Sequence, residues 1–350
     1  MAYTTINKSS DYFNTVLYTG DGSNSRTVTG VGFQPDFSWL KNRSNTTPYS
    51  NQTFDSVRGT SAGTLYTDLQ NAEDTNYPIS SFDSDGVTLR ATSHDSQNGN
   101  NDTFVMWNWL AGGTASSNTD GATTSSVSAN TTSGFSIVSY TGTGVGNTTT
   151  VGHGLGSAPD VIIVKCKAEG RGWIVYSSDL GATKKLDFDT NTAVSTSSSN
   201  WNDTDPTSTV FTVGTGGDTN SDNGFIAYCF KSIKGFSKFG TFLGNASEDG
   251  PMIHTGFKPA MVIVKNTSIV QHWSINDNKR DPYNVMSKRL YPSQPSAEAT
   301  SSAYYMDYLS NGFKIRSTSA SWNGSGNTMF YMAFAENPFV TSTGLATTAR

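Results

Sequence analysis

The chain has 350 residues, 15% of them charged and 35% hydrophobic, with a formal net charge of −5. That length suits two or three domains, and so mild a charge with no basic run excludes the electrostatic footprint of a nucleic-acid binder. Only two cysteines, Cys166 and Cys229, are present, so a disulfide framework is excluded. Both lie in apolar strand-like runs and read as reduced core thiols. Ser, Thr, Asn and Gly fill most of the remainder. Thr and the aromatics favour pleated, half-buried surfaces and the small polar residues favour turns, while helix formers are sparse. An all-β chain is expected. The opening MAYTTINKSSDYF has neither a basic nor an apolar region of a secretory signal, and no stretch approaches the ~18 apolar residues that span a bilayer. Synthesis in a cytoplasm and no membrane insertion are the expectations.

In chain order, a first aromatic strand ends in glycine, VLYTG at residues 16–20. GFQPDFSWLKN follows at 32–42, in which Pro35 precedes Lys41 by six residues across an apolar run. SDGVTL at 84–89 reads as a tight turn and strand, and FVMWNWLA from Phe104 as a buried strand. The same four blocks return in order as IVSYTG (137–142), GLGSAPDVIIVKC (154–166), STVFTV (208–213) and FIAYCFKS from Phe225. They return again as FGTFLG (239–244), GFKPAMVIVKN (256–266), SNGFKI (310–315) and FYMAFAEN from Phe330. The proline–lysine spacing recurs at Pro159/Lys165 and Pro259/Lys265. Trp39, Ile163 and Ile263 fall at equivalent places, as do Trp109, Phe230 and Phe334. A proline at the mouth of a strand costs no ladder bond, and Gly86 and Gly312 are expected to supply a turn's positive φ.

Fixed-order repetition identifies a repeat protein: three tandem antiparallel β-sandwich, jelly-roll-like repeats at 1–112, 133–234 and 235–350, the last with a C-terminal tail. Residues 113–132, within the Ser/Thr/Gly-rich stretch 111–134, read as a flexible linker about which the first domain bends. Only KSIKGFSKFG (231–240) separates the second and third repeats, which should form a stiffer unit. The long polar loops 46–76, 195–207 and 276–300 are where function is expected to sit.

The residues point to no chemistry. The four histidines, His94, His153, His254 and His272, share no metal-ligand spacing, and no nucleophile, phosphate-loop or dinucleotide motif occurs. Of the carboxylate pairs Asp83/Asp85, Asp187/Asp189 and Asp203/Asp205, none recurs in all three repeats, and the first flanks a turn glycine, where Asp is favoured. DTNSDNG (218–224) has its glycine one place late for a calcium loop, and Cys229 stands where the bidentate Glu belongs. An EF-hand is excluded and a looser calcium site there stays open; no catalytic residue, cofactor or assigned metal ligand is expected. Trp39, Trp107 and Trp109 read as core, and Trp173 and Trp273 open matching strands. Trp201 and Trp322, in polar loops, with Tyr304, Tyr305 and Tyr308, are the candidate surface-contact residues.

YTTINKSSDYFNTVLYTGDGS, FQPDFSWLKNRS, FDSVRG, SFDSDGVTL and FVMWNWLAGG together resemble repeat-bearing structural proteins of marine bacteriophages, including those of cyanobacteria. The resemblance covers residues 3–113 most closely and extends through the second and third repeats; MFYMAFAENP departs from the family's aromatic–Cys–Trp ending. It implies a non-enzymatic virion protein, made in the host bacterial cytoplasm: a tail-associated fibre, spike or appendage whose loops contact the host surface. A capsid decoration or knob protein is the alternative, and a glycan depolymerase a third. The implied partners are other virion proteins of tail or capsid, further copies of itself in a homo-oligomer, and a host-surface glycan or protein, with no nucleic acid.

Overall fold

The computed structural model describes residues 3–44, 47–90 and 92–347; Met1, Ala2, Asn45, Thr46, Ala91 and the last three residues lie outside it, and with them the outer bounds of the expected repeats. The first repeat forms β1 (Phe13–Thr19), β2 (Thr27–Thr29), β3 (Phe37–Asn42), β4 (Gln52–Asp55), β5 (Leu65–Tyr66), β6 (Ser81–Asp83), β7 (Gly86–Thr88) and β8 (Thr103–Trp109). Two strands follow, β9 (Ser116–Asn118) and β10 (Ser125–Asn130). The second repeat forms β11 (Phe135–Thr141), β12 (Thr149–Gly152), β13 (Val161–Cys166), β14 (Ile174–Ser177), β15 (Lys184–Asp187), β16 (Ser195–Thr196), β17 (Val210–Val213) and β18 (Gly224–Phe230). The third forms β19 (Ser237–Leu243), β20 (Met252–His254), β21 (Phe257–Asn266), β22 (Ser274–Asp277), β23 (Lys288–Arg289), β24 (Ala299–Thr300), β25 (Met306–Leu309), β26 (Gly312–Ile315) and β27 (Thr328–Pro338).

The protein is all-β and every sheet is antiparallel. One pairing occurs three times: β1-β8-β3-β4, β11-β18-β13-β14 and β19-β27-β21-β22. Trp39 pairs with Trp107, Ile163 with Tyr228 and Ile263 with Met332. A small sheet covers the outer face of each: β2-β7-β6, β12-β17 and β20-β26-β25. In the first repeat Val28 and Val87 of the small sheet join Leu40 and Met106 in one core, and equivalent cores form in the other two.

The stretch expected as a flexible linker folds. β10 pairs with β11 from Ser125↔Tyr140 to Asn130↔Phe135, and β9 pairs with β10. Alternate small and polar residues there make an edge hairpin, and the side chain of Val127, buried among the second repeat's core, fixes its register. Thr and Ser are compatible with strand and with coil alike, so low complexity was a poor guide.

The glycine closing the first strand of each repeat has a steric cause. A Cβ on Gly20, Gly142 or Gly244 would lie 2.0, 2.0 or 2.3 Å from the carbonyl oxygen of Gly99, Ser221 or Gly324. Those carbonyls flank three short helices, α1 (Asp95–Asn98), α3 (Gly217–Asn220) and α4 (Ala320–Asn323), with α2 (Ser198–Trp201) lying between the first and second of them. The last residue of each of the three, Asn98, Asn220 and Asn323, is buried and accepts a backbone N–H from the loop after that glycine. Gly86 has the expected positive φ of 149° and Gly312 does not, but both are needed for room: a Cβ there would meet the Val28 or Ile253 oxygen at 1.9 or 2.0 Å. Pro35 and Pro159 precede their strands as expected. Pro259 instead lies inside β21, where a register shift on either side accommodates it.

The inner faces of the three large sheets meet in one core. β3 and β13 are buried at every position because each is covered on both faces. Phe37, Trp39 and Trp109 share this core with Val161, Ile163 and Phe230 and with Met261, Ile263 and Phe334. The equivalent residues Trp109, Phe230 and Phe334 touch one another, with ring centres 5.4, 5.9 and 6.5 Å apart.

Contacts around this centre close in a ring. The equivalent lysines are at most 1% exposed and each bonds one carbonyl of its own repeat and one of the neighbour's. Lys41 reaches Tyr49 and Pro295, Lys165 reaches Arg171 and Gln70, and Lys265 reaches Gln271 and Asn191. The residue opening the next strand does likewise: Asn51 donates to Tyr291 O, Trp173 Nε1 to Tyr66 O and Trp273 Nε1 to Asp187 O. Glu298, Glu73 and Val194 donate their backbone N–H to Arg43, Lys167 and Thr267 at 2.8, 2.8 and 2.9 Å. First joins third, second joins first, third joins second.

Burial pushes the three ammonium groups from 10.5 down to about 8. Between about pH 8 and 10 the unfolded chain therefore binds more protons than the folded one, and stability rises with pH. Below pH 8 the lysines are charged in both states and the burial cost is fully present. Burial also holds the phenols of Tyr140, Tyr228 and Tyr308 un-ionised well above their ordinary value, so above about pH 10 the unfolded chain releases tyrosine protons and stability falls again. Urea midpoints at pH 7, 9.5 and 11 should show the middle value highest.

Candidate functional site

An open cleft lies on the third repeat, in two adjoining lobes of about 500 and 630 Å³. Its floor is Lys258 and Glu336, which face each other across β21 and β27 at 2.7 Å. One wall is the β25–β26 turn with Tyr308 and Asn311, and the other is the loop of residues 278–287.

That loop is held by its own polar side chains. Asp277 Oδ1 accepts the N–H groups of Lys279 and Arg280 at 3.1 and 2.9 Å. Asp281 Oδ2 accepts those of Ser287 and Lys288 at 2.6 and 3.1 Å, closing the loop. Asn284 bonds both the N–H and the carbonyl of Tyr308, at 2.9 and 2.8 Å. Tyr283 stands at the tip, 80% exposed. A fixed backbone thus presents an aromatic ring beside Asn278, Lys279, Asn284 and Asn311.

An exposed ring with amides and paired charges suits stacking and hydrogen bonding to a polar ligand such as a sugar. Asp281 and Glu336 are the acids of the cleft; the first is committed to backbone N–H groups and the second to Lys258.

Three of the five expected contact residues are not at the surface. Trp201 is 1% exposed and packs edge-on against Tyr176; Trp322 is 2% exposed behind Tyr304; Tyr308 is 5% exposed with its hydroxyl donating to Asn276 O. Each sits in a polar loop yet folds back onto its own sandwich core, as large aromatics do when a core lies within reach. Tyr304 and Tyr305 are half-buried; Tyr305 lines a neighbouring cleft with Arg316 and Ser317. Tyr283, Lys258 and Asn284 were not anticipated. Their one signal was the DPYN turn (281–284) inside the long loop 276–300.

Four of the six paired acids tie parts of the fold together. Asp85 accepts the N–H groups of Gly30 and Gly32, Asp83 the hydroxyls of Ser81 and Thr88, Asp189 the N–H of Trp173 and Asp205 the hydroxyl of Tyr176. Both cysteines are fully buried, and burial pushes the Cys229 thiol up to about 12. Among the described residues no group of three or more His, Cys, Asp or Glu is placed to hold a metal, and no helix is long and apolar enough to cross a membrane.

The fold and cleft define an all-β protein whose three like sheet pairs close around a common core and which carries an open polar cleft on its third repeat. The chain belongs to the family described as a domain of unknown function, DUF7483, whose profile matches residues 8–338. That single match spans all three repeats. No curated protein and no solved structure matches the chain.

Proposed function

We propose that the protein is a non-enzymatic structural component of a bacteriophage particle that contacts a host-surface glycan through the cleft of its third repeat. The observation that carries the contact is Tyr283, an exposed ring on a loop tied down by Asp277, Asp281 and Asn284. Such a platform binds without the entropic cost of ordering a loop. The bacteriophage setting is supported by the resemblance of FQPDFSWLKNRS, SFDSDGVTL and FVMWNWLAGG to virion proteins of marine phages. Weak contacts of this kind gain from several copies displayed together.

A second reading, capsid decoration, is favoured by the ring of equivalent contacts through Lys41, Lys165 and Lys265. One chain then imitates a trimer and suits a threefold position on a shell.

Cryo-electron microscopy of the particle tests both. Density on the tail with the 278–287 loop outward supports host contact; density on the capsid faces supports decoration and overturns it. In the host-contact case Tyr283→Ala lowers adsorption to cells at least roughly tenfold, by loss of a stacking contact, and leaves the thermal midpoint unchanged. Undiminished adsorption sinks the cleft's role.

A further inference from the structure

Away from this cleft, the Arg289 guanidinium of the third repeat lies on aromatic rings. The guanidinium carbon of Arg289 lies 3.1 Å from the ring centre of Tyr304 and 4.5 Å from that of Tyr291. So close an approach fits only a guanidinium lying flat on the Tyr304 ring, which leaves its in-plane N–H groups pointing sideways. Nε and Nη1 are buried and meet no acceptor. By contrast Arg26, Arg43, Arg58, Arg171, Arg280 and Arg316 each reach a carboxylate.

The surroundings are cationic. His272 lies beside Tyr291, ring centres 6.0 Å apart, and burial followed by the nearby Lys265 and Arg289 charges holds its pKa below the ordinary value. The acids of this loop are engaged elsewhere: Asp281 with the Ser287 and Lys288 N–H groups, Glu298 with Arg43 and Arg280. Comparison of the repeats gives an independent indication. In the first two, a buried carboxylate accepts the N–H that opens the strand after the lysine, Asp68 from Asn51 and Asp189 from Trp173. In the third, Ser293 takes that place beside Trp273. At that place in the third repeat a hydroxyl thus stands where the other two have a carboxylate.

Buried donors find partners in native proteins, and a guanidinium edge matches two oxygens of a planar or tetrahedral oxyanion. We propose that Arg289, clamped between Tyr291 and Tyr304, anchors a binding site for an oxyanion group, the carboxylate or sulfate ester of an acidic polysaccharide. The polysaccharide rests on the host-contact reading above; the oxyanion site itself does not.

The test is an NMR titration of the His272 ring protons in the whole protein, with sodium sulfate in one arm and D-glucuronate in the other, at constant ionic strength. The expected result is a saturable shift and a rise in the His272 pKa, because a bound anion favours imidazolium. Arg289→Gln should weaken binding by on the order of tenfold with an unchanged thermal midpoint. Arg289→Lys, which keeps the charge and loses the fork, should fall between. Should the glutamine variant fail to fold, Tyr304→Leu, altering a half-exposed face of the clamp, is expected to weaken binding too. Response to one arm alone assigns a sulfate ester or a uronate. No saturable shift in either arm, or the same affinity in folded variants, overturns the site. A saturable shift with no adsorption defect in phage carrying Arg289→Gln leaves the site standing and removes its host role.

Discussion

Trp109→Ala lowers the stability of the entire protein by about 3–5 kcal/mol and moves one unfolding transition for all three repeats. Trp109 is 3% exposed and touches Phe13 and Phe37 of its own repeat, Phe230 of the second and Phe334 of the third, at ring-centre distances of 4.8, 5.3, 6.5 and 5.4 Å. Its removal leaves a cavity where three repeats meet, and none can close it without shifting the other two. Urea unfolding followed by far-ultraviolet circular dichroism and by tryptophan fluorescence should give coincident curves displaced together. Displacement of a third of the signal, with the remainder unmoved, would mean that the repeats fold separately.

Arg280→Met costs a further-reaching 3–5 kcal/mol or so, and the protein itself contains the sequence that repairs it. Arg280, fully buried, bonds Asp277 at 2.5 Å and Glu298 at 3.0 Å, while Trp107 Nε1 of the first repeat donates to Asp277 at 3.0 Å and Arg43 holds Glu298. The junction of the first two repeats has the same set: Arg58 with Asp55 and Glu73, and the Tyr228 hydroxyl on Asp55. At the third junction every member changes. Ser177, Leu180, Val194, Thr267 and Met332 stand at the equivalent places, and Leu180, Val194 and Met332 join the apolar core. A buried charge network stabilises only when complete, so loss of Arg280 alone leaves the buried Asp277 carboxylate without a counter-charge and Glu298 with Arg43 alone. Transplanting the apolar set, as Asp277→Ser, Arg280→Leu, Glu298→Val, Arg43→Thr and Trp107→Met together, should bring thermal unfolding back to within about 2 kcal/mol of the parent. A quintuple variant as unstable as Arg280→Met would show that the two kinds of junction are not interchangeable.

Much of the fold is legible in the residues and the assembly is not. Apolar runs opened by a proline mark strands such as β3, β13 and β21, and the equivalence of Trp109, Phe230 and Phe334 is visible in the blocks that hold them. What those three rings meet is invisible, because their partners are one another across 100 residues or more. The recurrent lysine shows the same limit. Its spacing from proline is visible in the residues, but only the carbonyls of Pro295, Gln70 and Asn191, each from another repeat, explain its burial. The contact residues failed for a related reason. Trp201 and Trp322 lie in polar sequence, but an indole near a core is drawn into it, whereas Tyr283 at a Pro-Tyr turn has no core within reach.

Small-angle X-ray scattering of the isolated protein tests the closed ring most directly. Three repeats around one core predict a single-peaked distance distribution and a radius of gyration of about 20 Å, the value for a globular chain of this length. A multi-peaked distribution with a radius well above that, as for domains strung on a mobile tether at residues 113–132, would contradict it.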